Sequence, residues 1–303
     1  MKPASYKSHR SATVRPSVML CLMRSLSAKL LPLVVFLFLS VLSSQTMFAQ
    51  GRNLTPDHRV HGKFDSKFAK IRDLVVWLPP DYAKDITRRY PTLYMHDGDS
   101  AFANWRLDET AAALILNDQI VPMIIIYVPN GGTSEDRLID YTPTRDANYK
   151  VGGKADNYGR MLVEEVKPFI DSHYRTLTDA TNTGLGGASL GGLVTLYLGL
   201  KYPETFGRLA VLSPSIWWDR GMILRAVKDI KIKPALQIWL DVGTEEESGR
   251  TDVTRSLRDA LVKKGWALNT DLMYYEAKGA RHDDMAFAKR AVLFLKFLYP
   301  KTK

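Results

Sequence analysis

Ser189 stands in Gly187-Ala188-Ser189-Leu190-Gly191, a G-x-S-x-G pattern inside the stretch GLGGASLGGLVTLYLGLKY, residues 184 to 202. A serine hydroxyl becomes an effective nucleophile when a base removes its proton, and histidine titrates closest to neutral pH. A short apolar approach precedes the pattern, and an apolar run of helical length follows it. This setting predicts a strand, a sharp turn and a helix, with Ser189 Oγ exposed at the carboxyl end of the strand. Glycines at 187 and 191 omit side chains that would collide with neighbouring backbone in so tight a corner. The pentapeptide alone also fits a glycine-rich turn with a spectator serine, so its partners must decide.

The histidines are His9, His58, His61, His96, His173 and His282, and of these His282 alone follows Ser189. It falls just beyond the strand-like segment 272 to 279, where the base of a serine–acid–histidine triad on a parallel sheet belongs. His58 and His61 lie in the first strand, and His173 ends a helix beside Tyr174; these read as structural. No histidine pair has the H-E-x-x-H spacing of a hydrolytic metal site, so neither a metal nor another cofactor is expected. The triad acid must accept the histidine Nδ1–H and stabilise the imidazolium. After the strand 235 to 243, the segment WLDVGTEEESGR offers Asp241, Glu245, Glu246 and Glu247. Asp241 sits inside the strand, whereas Glu246 lies past the turn after Gly243 and is the preferred acid. The other three, and a Ser–His dyad without an acid, stay open. An oxyanion hole would take the N–H of Leu190 and one from the loop His96-Asp97-Gly98-Asp99. There Gly98 would let the backbone approach substrate and Asp99 would donate, with His96 as a loop anchor.

These groups need a scaffold, and the chain supplies alternating strand-like and helix-like segments. Strands are predicted over 58 to 66, 71 to 78, 91 to 99 (running into a polar loop), 121 to 131, 183 to 187, 208 to 215, 235 to 243 and 272 to 279. Helices are predicted over 105 to 118, 161 to 174, 190 to 201, 222 to 230, 251 to 265 and 283 to 299. The run VPMIIIYVPNG is apolar throughout and β-branched, as a strand covered on both faces should be. The pattern gives an α/β fold with a mostly parallel central sheet of about eight strands and helices on both faces. Residues 132 to 158 form the one long stretch without evident structure, the length of a lid or binding loop.

The first 29 residues carry Lys2, Lys7, Arg10, Arg15, Arg24 and Lys29 and no acid, and LLPLVVFLFLSVL follows. A basic segment, a short apolar run and an alanine at 49 read as a signal peptide over 1–49, leaving one catalytic domain over 50–303. Met47 is large for the −3 position of a cut after Ala49, and Met19 or Met23 would give a shorter leader. The expected location is secreted or periplasmic, with no membrane attachment after cleavage. Removing the six leader cations takes the formal net charge from +10 to about +4, which does not point to nucleic acid. Cys21, the single cysteine, lies in the leader, so disulfide and thiol chemistry are not expected of the mature chain. Nothing in the sequence reports an oligomeric state.

YMHDGDSAFANWRLDET, the strand IIIYVPNG, DYTP, GGASLGG, SPSIWW, LDVGTEE and GARHDDMAFAKR occur in this order from about residue 58 to 300. In this the chain resembles the putative-esterase (esterase D-like) family of α/β-hydrolases. That family includes feruloyl and acetyl-xylan esterases, S-formylglutathione hydrolase, siderophore trilactone esterases and mycolyltransferases. The resemblance implies the α/β-hydrolase fold and a serine esterase acting on a small-molecule or carbohydrate ester. It also leaves room for acyl transfer with the same serine, or for a catalytically silent binding homologue. HDGDSAF and HDDMAF depart from the family's H-D-G-Q-N-L-F and H-N-E-A-A-W, and Asp284 and Phe287 should alter the pocket wall rather than the chemistry. SPSIWW implies that Trp217 or Trp218 reaches the site and offers a flat wall to a sugar or aromatic acyl group. Trp105, Arg137, Tyr141 and Asp99 are further substrate-contact candidates from loops over the same sheet edge.

Overall fold

Residues 53–70 and 72–301 are described by a computed structural model of the chain. The expected leader, 1–49, lies outside the described residues. Eight strands form one sheet: β1 His58–Phe64, β2 Arg72–Trp77, β3 Thr92–His96, β4 Ile124–Val128, β5 Thr183–Ala188, β6 Arg208–Leu212, β7 Gln237–Gly243 and β8 Leu272–Ala277. Their spatial order is β1-β2-β4-β3-β5-β6-β7-β8. β1 pairs antiparallel with β2, and β2 with β4, while β4 through β8 run parallel. The mostly parallel eight-stranded sheet is therefore as the sequence pattern predicts.

Alternation along each strand divides the core. On β4, Ile124, Ile126 and Val128 enter one apolar layer, and Ile125 and Tyr127 enter the other. Every residue of β3, β4 and β5 is buried, which is why these strands read as unbroken apolar or glycine-rich runs. Full burial of one such isoleucine is worth roughly 1.5–3 kcal/mol, so a charged residue at Ile126 would strip the central layer.

The helices sort onto the two faces. α1 Gly98–Ala103, α2 Leu107–Leu116 and the last helix feed the layer around Ile125, through Phe102, Leu107, Leu114, Phe294 and Leu298. The opposite face carries α3 Ser134–Tyr141, α4 Ala155–Arg160, a π-helical turn Met161–Val166, α5 Lys167–His173, α6 Leu190–Lys201, α7 Met222–Asp229 and α8 Arg250–Lys263. The last helix, α9, spans Asp284–Leu298.

One expectation is corrected. The stretch 132 to 158 is not one loop: Thr133 caps α3 by accepting Asp136 N–H at 3.0 Å, and α4 starts six residues before the predicted helix at 161. Thr133 with Asp136 three residues on is a capping signature that the surrounding glycines obscure in sequence. β3 ends at His96, where the expected loop begins: Asp97 turns into the left-handed region (φ 50°, ψ 49°) and starts α1.

Candidate active site

β5 hands over to α6 through Ser189, whose backbone sits at φ 60°, ψ −118°. A non-glycine residue there is strained and persists only when its surroundings dictate it. Three hydrogen bonds do so: Ser189 N–H donates to Leu212 carbonyl at 3.0 Å, and its own carbonyl accepts Leu193 N–H and Ser215 N–H, each at 3.0 Å. The corner also needs Gly187, since a Cβ there would lie 2.9–3.0 Å from the backbone of Gly191. Ser189 Oγ is hydrogen-bonded to Ser215 Oγ at 3.2 Å.

His282 follows β8 and immediately precedes the cap of α9. Its Nδ1 lies 2.8 Å from Glu246 Oε2, and its ring stands edge-on to Phe287 with centroids 5.2 Å apart. Glu246 reaches the ring from the turn after β7, and its side chain is wholly buried. Its other oxygen, Oε1, accepts Gly243 N–H at 2.8 Å and the hydroxyl of Ser213. Burial would raise this carboxyl, but the hydrogen bonds from His282, Ser213 and Gly243 prevail and hold it below the usual glutamate value.

The other acids separate cleanly. Glu245 and Glu247 have side chains 58 % and 75 % exposed and pair with Arg281 and Arg250, so they are solvated turn residues. Asp241 is fully buried on β7, where it accepts Arg290 Nη1 at 2.6 Å, Trp239 Nε1 at 2.8 Å and Ser213 N–H at 3.1 Å. Burial pushes it up to about 6, against the pull of Arg290, with which it forms a buried ion pair. Among the described residues no hydrogen bond joins Ser189 to His282. Such bonds often close only when substrate is bound.

The loop after β3 forms the opposite wall. Asp97 takes a bidentate pair from Arg137, Nε to Oδ1 at 2.8 Å and Nη2 to Oδ2 at 2.7 Å, and a third bond from Asn130 Nδ2 at 3.0 Å. Arg137 Nη2 also reaches the carbonyl of Ala188, next to the serine, at 3.3 Å. The arginine therefore ties the β3 loop to the β5 corner, and its guanidinium is already engaged where it borders the cleft. The reason expected for Gly98 is corrected: a Cβ there would fall 2.5 Å from Val128 N, so its missing side chain admits β4 backbone rather than substrate. Leu190 opens α6, and the first N–H groups of a helix have no intrahelical acceptor.

A cleft of about 270 Å³ opens at the carboxyl ends of the strands, walled by Ser189, Asp97, Asp99, Trp105, Arg137, Asp284 and Phe287. Trp105 enters it from the α1–α2 junction and donates Nε1–H to Asp284 Oδ1 at 2.8 Å. Asn104 Nδ2 holds the second oxygen of Asp284 at 2.6 Å. Asp283 caps α9 by accepting Ala286 N–H at 2.8 Å. A larger groove, about 400 Å³, lies at the other end of the strands by Arg208, Gln237 and Asp271. Its charges are spent, Lys233 on Asp271 and Arg208 on the carbonyls of Thr181 and Leu298.

Two expected substrate contacts are corrected, and a third lies off the cleft. Tyr141 is fully buried, its Oη accepting Asp97 N–H at 2.9 Å, so it supports the loop from beneath. Trp218 is fully buried and donates to Thr144 carbonyl at 3.0 Å. Trp217 is 42 % exposed but packs by Tyr149, ring centroids 5.7 Å apart, and is not among the cleft residues. His96 is an anchor: it is buried, its Nδ1 is 2.8 Å from Tyr158 Oη, and burial drives it down to about 3. Ser213, Ser215 and Arg290 also border this site, although none is a candidate from the sequence. The SPS of SPSIWW, and an arginine on the apolar face of the last helix, were the available signals.

Residues 67–288 match the family model described as "Putative esterase". Among curated relatives, the uncharacterized protein YbbA of Bacillus subtilis (strain 168) is 28 % identical over 255 residues, covering 80 % of this chain and 98 % of that protein. The ferri-bacillibactin esterase BesA of the same organism is 29 % identical over 193 residues, covering 56 % of this chain and 65 % of that protein. Among solved structures, the BES protein from Bacillus cereus superposes with a TM-score of 0.67 at 22 % identity, covering 82 % of this chain and 97 % of that one, and shares the fold.

Proposed function

Because this chain belongs to the "Putative esterase" family, a family of ester hydrolases, we propose that it is an exported serine esterase with Ser189, His282 and Glu246 as its triad. The observation that carries the reading is the 2.8 Å contact of His282 Nδ1 with buried Glu246, beside the cleft that opens on Ser189. Glu246 fixes the ring so that Nε2 is the free nitrogen and stabilises the imidazolium once it forms.

In the proposed reaction His282 takes the Ser189 proton as Oγ adds to the ester carbonyl carbon. The carbonyl oxygen becomes an oxyanion, met by the N–H of Leu190 and that of Asp99, each worth roughly 3 kcal/mol in the transition state. His282 returns its proton to the departing alcohol, leaving Ser189 acylated. A water deprotonated by His282 then adds to the acyl carbon, and the acid leaves as the serine regains its proton. No cofactor enters these steps.

A cleft of about 270 Å³ suits the acyl part of a small ester, with a larger alcohol left outside. An acylated carbohydrate and a siderophore lactone both meet that description, the second in keeping with the relative BesA. Export rests on the leader sequence over 1–49. Ser189→Ala and His282→Ala should each abolish hydrolysis of p-nitrophenyl acetate while the circular dichroism spectrum stays that of the wild type. Undiminished turnover in Ser189→Ala would sink the reading. A panel of acetyl-xylan, methyl ferulate and a catecholate trilactone then ranks the substrate classes.

A further inference from the structure

The tripeptide Ser213-Pro214-Ser215, which follows β6, touches both ends of the proposed triad. Ser213 Oγ donates to Glu246 Oε1 and accepts Arg290 Nη1 at 3.0 Å, so it steadies the acid. Two residues on, Ser215 Oγ lies 3.2 Å from Ser189 Oγ. The backbone holds the two serines together, through the 3.0 Å bond from Ser215 N–H to Ser189 carbonyl. Ser215 is wholly buried, and among the described residues its hydroxyl has no side-chain partner other than Ser189 Oγ.

A buried hydroxyl proton must be given to some acceptor. For Ser215 the acceptor on hand is the oxygen of Ser189. From this we infer that Ser215 is a further catalytic residue, which donates a hydrogen bond to the nucleophilic oxygen itself. The inference rests on the reading of Ser189 as nucleophile.

Ser215 transfers no proton. When His282 removes the Ser189 proton, the electron pair left on Oγ forms the bond to the carbonyl carbon, and the carbonyl π pair moves to its oxygen. While Oγ carries alkoxide character, the Ser215 O–H is a charge-assisted donor to it, stronger than in the resting enzyme. In the acyl-enzyme Oγ is an ester oxygen and a poor acceptor. In deacylation the C–Oγ bond breaks, Oγ again gathers charge before His282 reprotonates it, and the Ser215 bond strengthens a second time. The donor is stronger in both transition states than in the states they connect, which is the condition for raising the rate.

The test compares wild type, Ser215→Ala and Ser215→Thr in two assays: the second-order rate of labelling by a fluorophosphonate probe, and turnover of p-nitrophenyl acetate. In Ser215→Ala both the labelling rate and kcat should fall about 10- to 100-fold, the loss expected for one charge-assisted donor. KM should hold within about twofold, since substrate does not reach Ser215. Ser215→Thr keeps the hydroxyl and should recover most of the labelling rate. Labelling of Ser215→Ala at or above the wild-type rate overturns the proposal, and so does an equal loss in Ser215→Thr. Should the alanine variant fail to fold, Ser215→Cys keeps the volume with a weak donor, and a wild-type rate there overturns it equally. If Ser189→Ala is labelled as fast as wild type, the nucleophile is another residue and both readings fall. That result is distinct from a change confined to Ser215.

Discussion

Glu246 meets His282 Nδ1 at 2.8 Å with one carboxylate oxygen, while Ser213 and Gly243 immobilise the other. The side chain cannot turn away from the ring without breaking bonds inside the protein. Glu246→Gln should retain the fold and lower kcat by on the order of 10²- to 10⁴-fold, because an amide neither fixes the ring tautomer nor offsets the imidazolium charge. Glu245→Gln and Glu247→Gln should stay within about twofold of wild type, as expected for solvated residues. Steady-state rates on p-nitrophenyl acetate decide. A loss shared equally among the three would remove Glu246 from the triad.

Arg290 supplies the cation between two buried carboxylates, 2.6 Å from Asp241 and 3.9 Å from Glu246. Its removal in Arg290→Met should cost about 3–5 kcal/mol, since it leaves buried negative charge uncompensated. Adding Asp241→Asn should restore part of that loss. Urea denaturation of the two single variants and the double variant measures the coupling, and simple additivity would contradict the network.

His96 gives a pH signature with a determinate sign. Its ordinary value is 6.5, and burial lowers it to about 3. Between these values the unfolded chain binds the proton and the native protein does not, so stability falls as pH drops below about 6.5. Relative to a His96→Gln variant, the wild type should lose up to about 1.4 kcal/mol per pH unit over this window. Asp241, raised rather than lowered, works in the opposite sense between 3.8 and about 6, and it cancels in this comparison. Parallel stability profiles for the two proteins would show that His96 is protonated in the fold.

Charge in the cleft should govern substrate choice. Arg137 neutralises Asp97, whereas Asp99 and Asp284 form no ion pair among the described residues. A carboxylate-bearing ester, such as a hemisuccinate, should therefore show a kcat/KM about tenfold below its neutral isostere at low salt. Asp284→Asn and added salt should each narrow that ratio. A preference of the wild type for the anionic ester would refute the argument.

The parts of the site that obey local rules were legible in the sequence. Ser189 is marked as a candidate by its glycines and His282 by chain order, whereas Glu246 is only preferred, by its distance past Gly243, over Asp241, Glu245 and Glu247. What could not be read was three-dimensional choice among near neighbours. Trp217 and Trp218 are adjacent, and only packing shows that the second is buried against Thr144 while neither walls the cleft. Tyr141 carries a hydroxyl that a loop could present to substrate, but the fold turns it beneath Asp97. Ser215 and Arg290 escaped notice because their partners lie 26 and 49 residues away, beyond the reach of periodicity.

At the start of α9, His282, Asp283 and Asp284 carry three unlike duties in consecutive positions. The first holds its ring to Glu246, the second caps the helix, and the third is pinned by Trp105 as part of the cleft wall. No spacer separates them, so the placing of the proposed base is counted from the first turn of the helix. One residue inserted there would swing the remainder of α9 by about 100° around its axis relative to the base. Base, cap and wall could not then all be kept at once. This short run is a gauge length of the site, intolerant of any change in number.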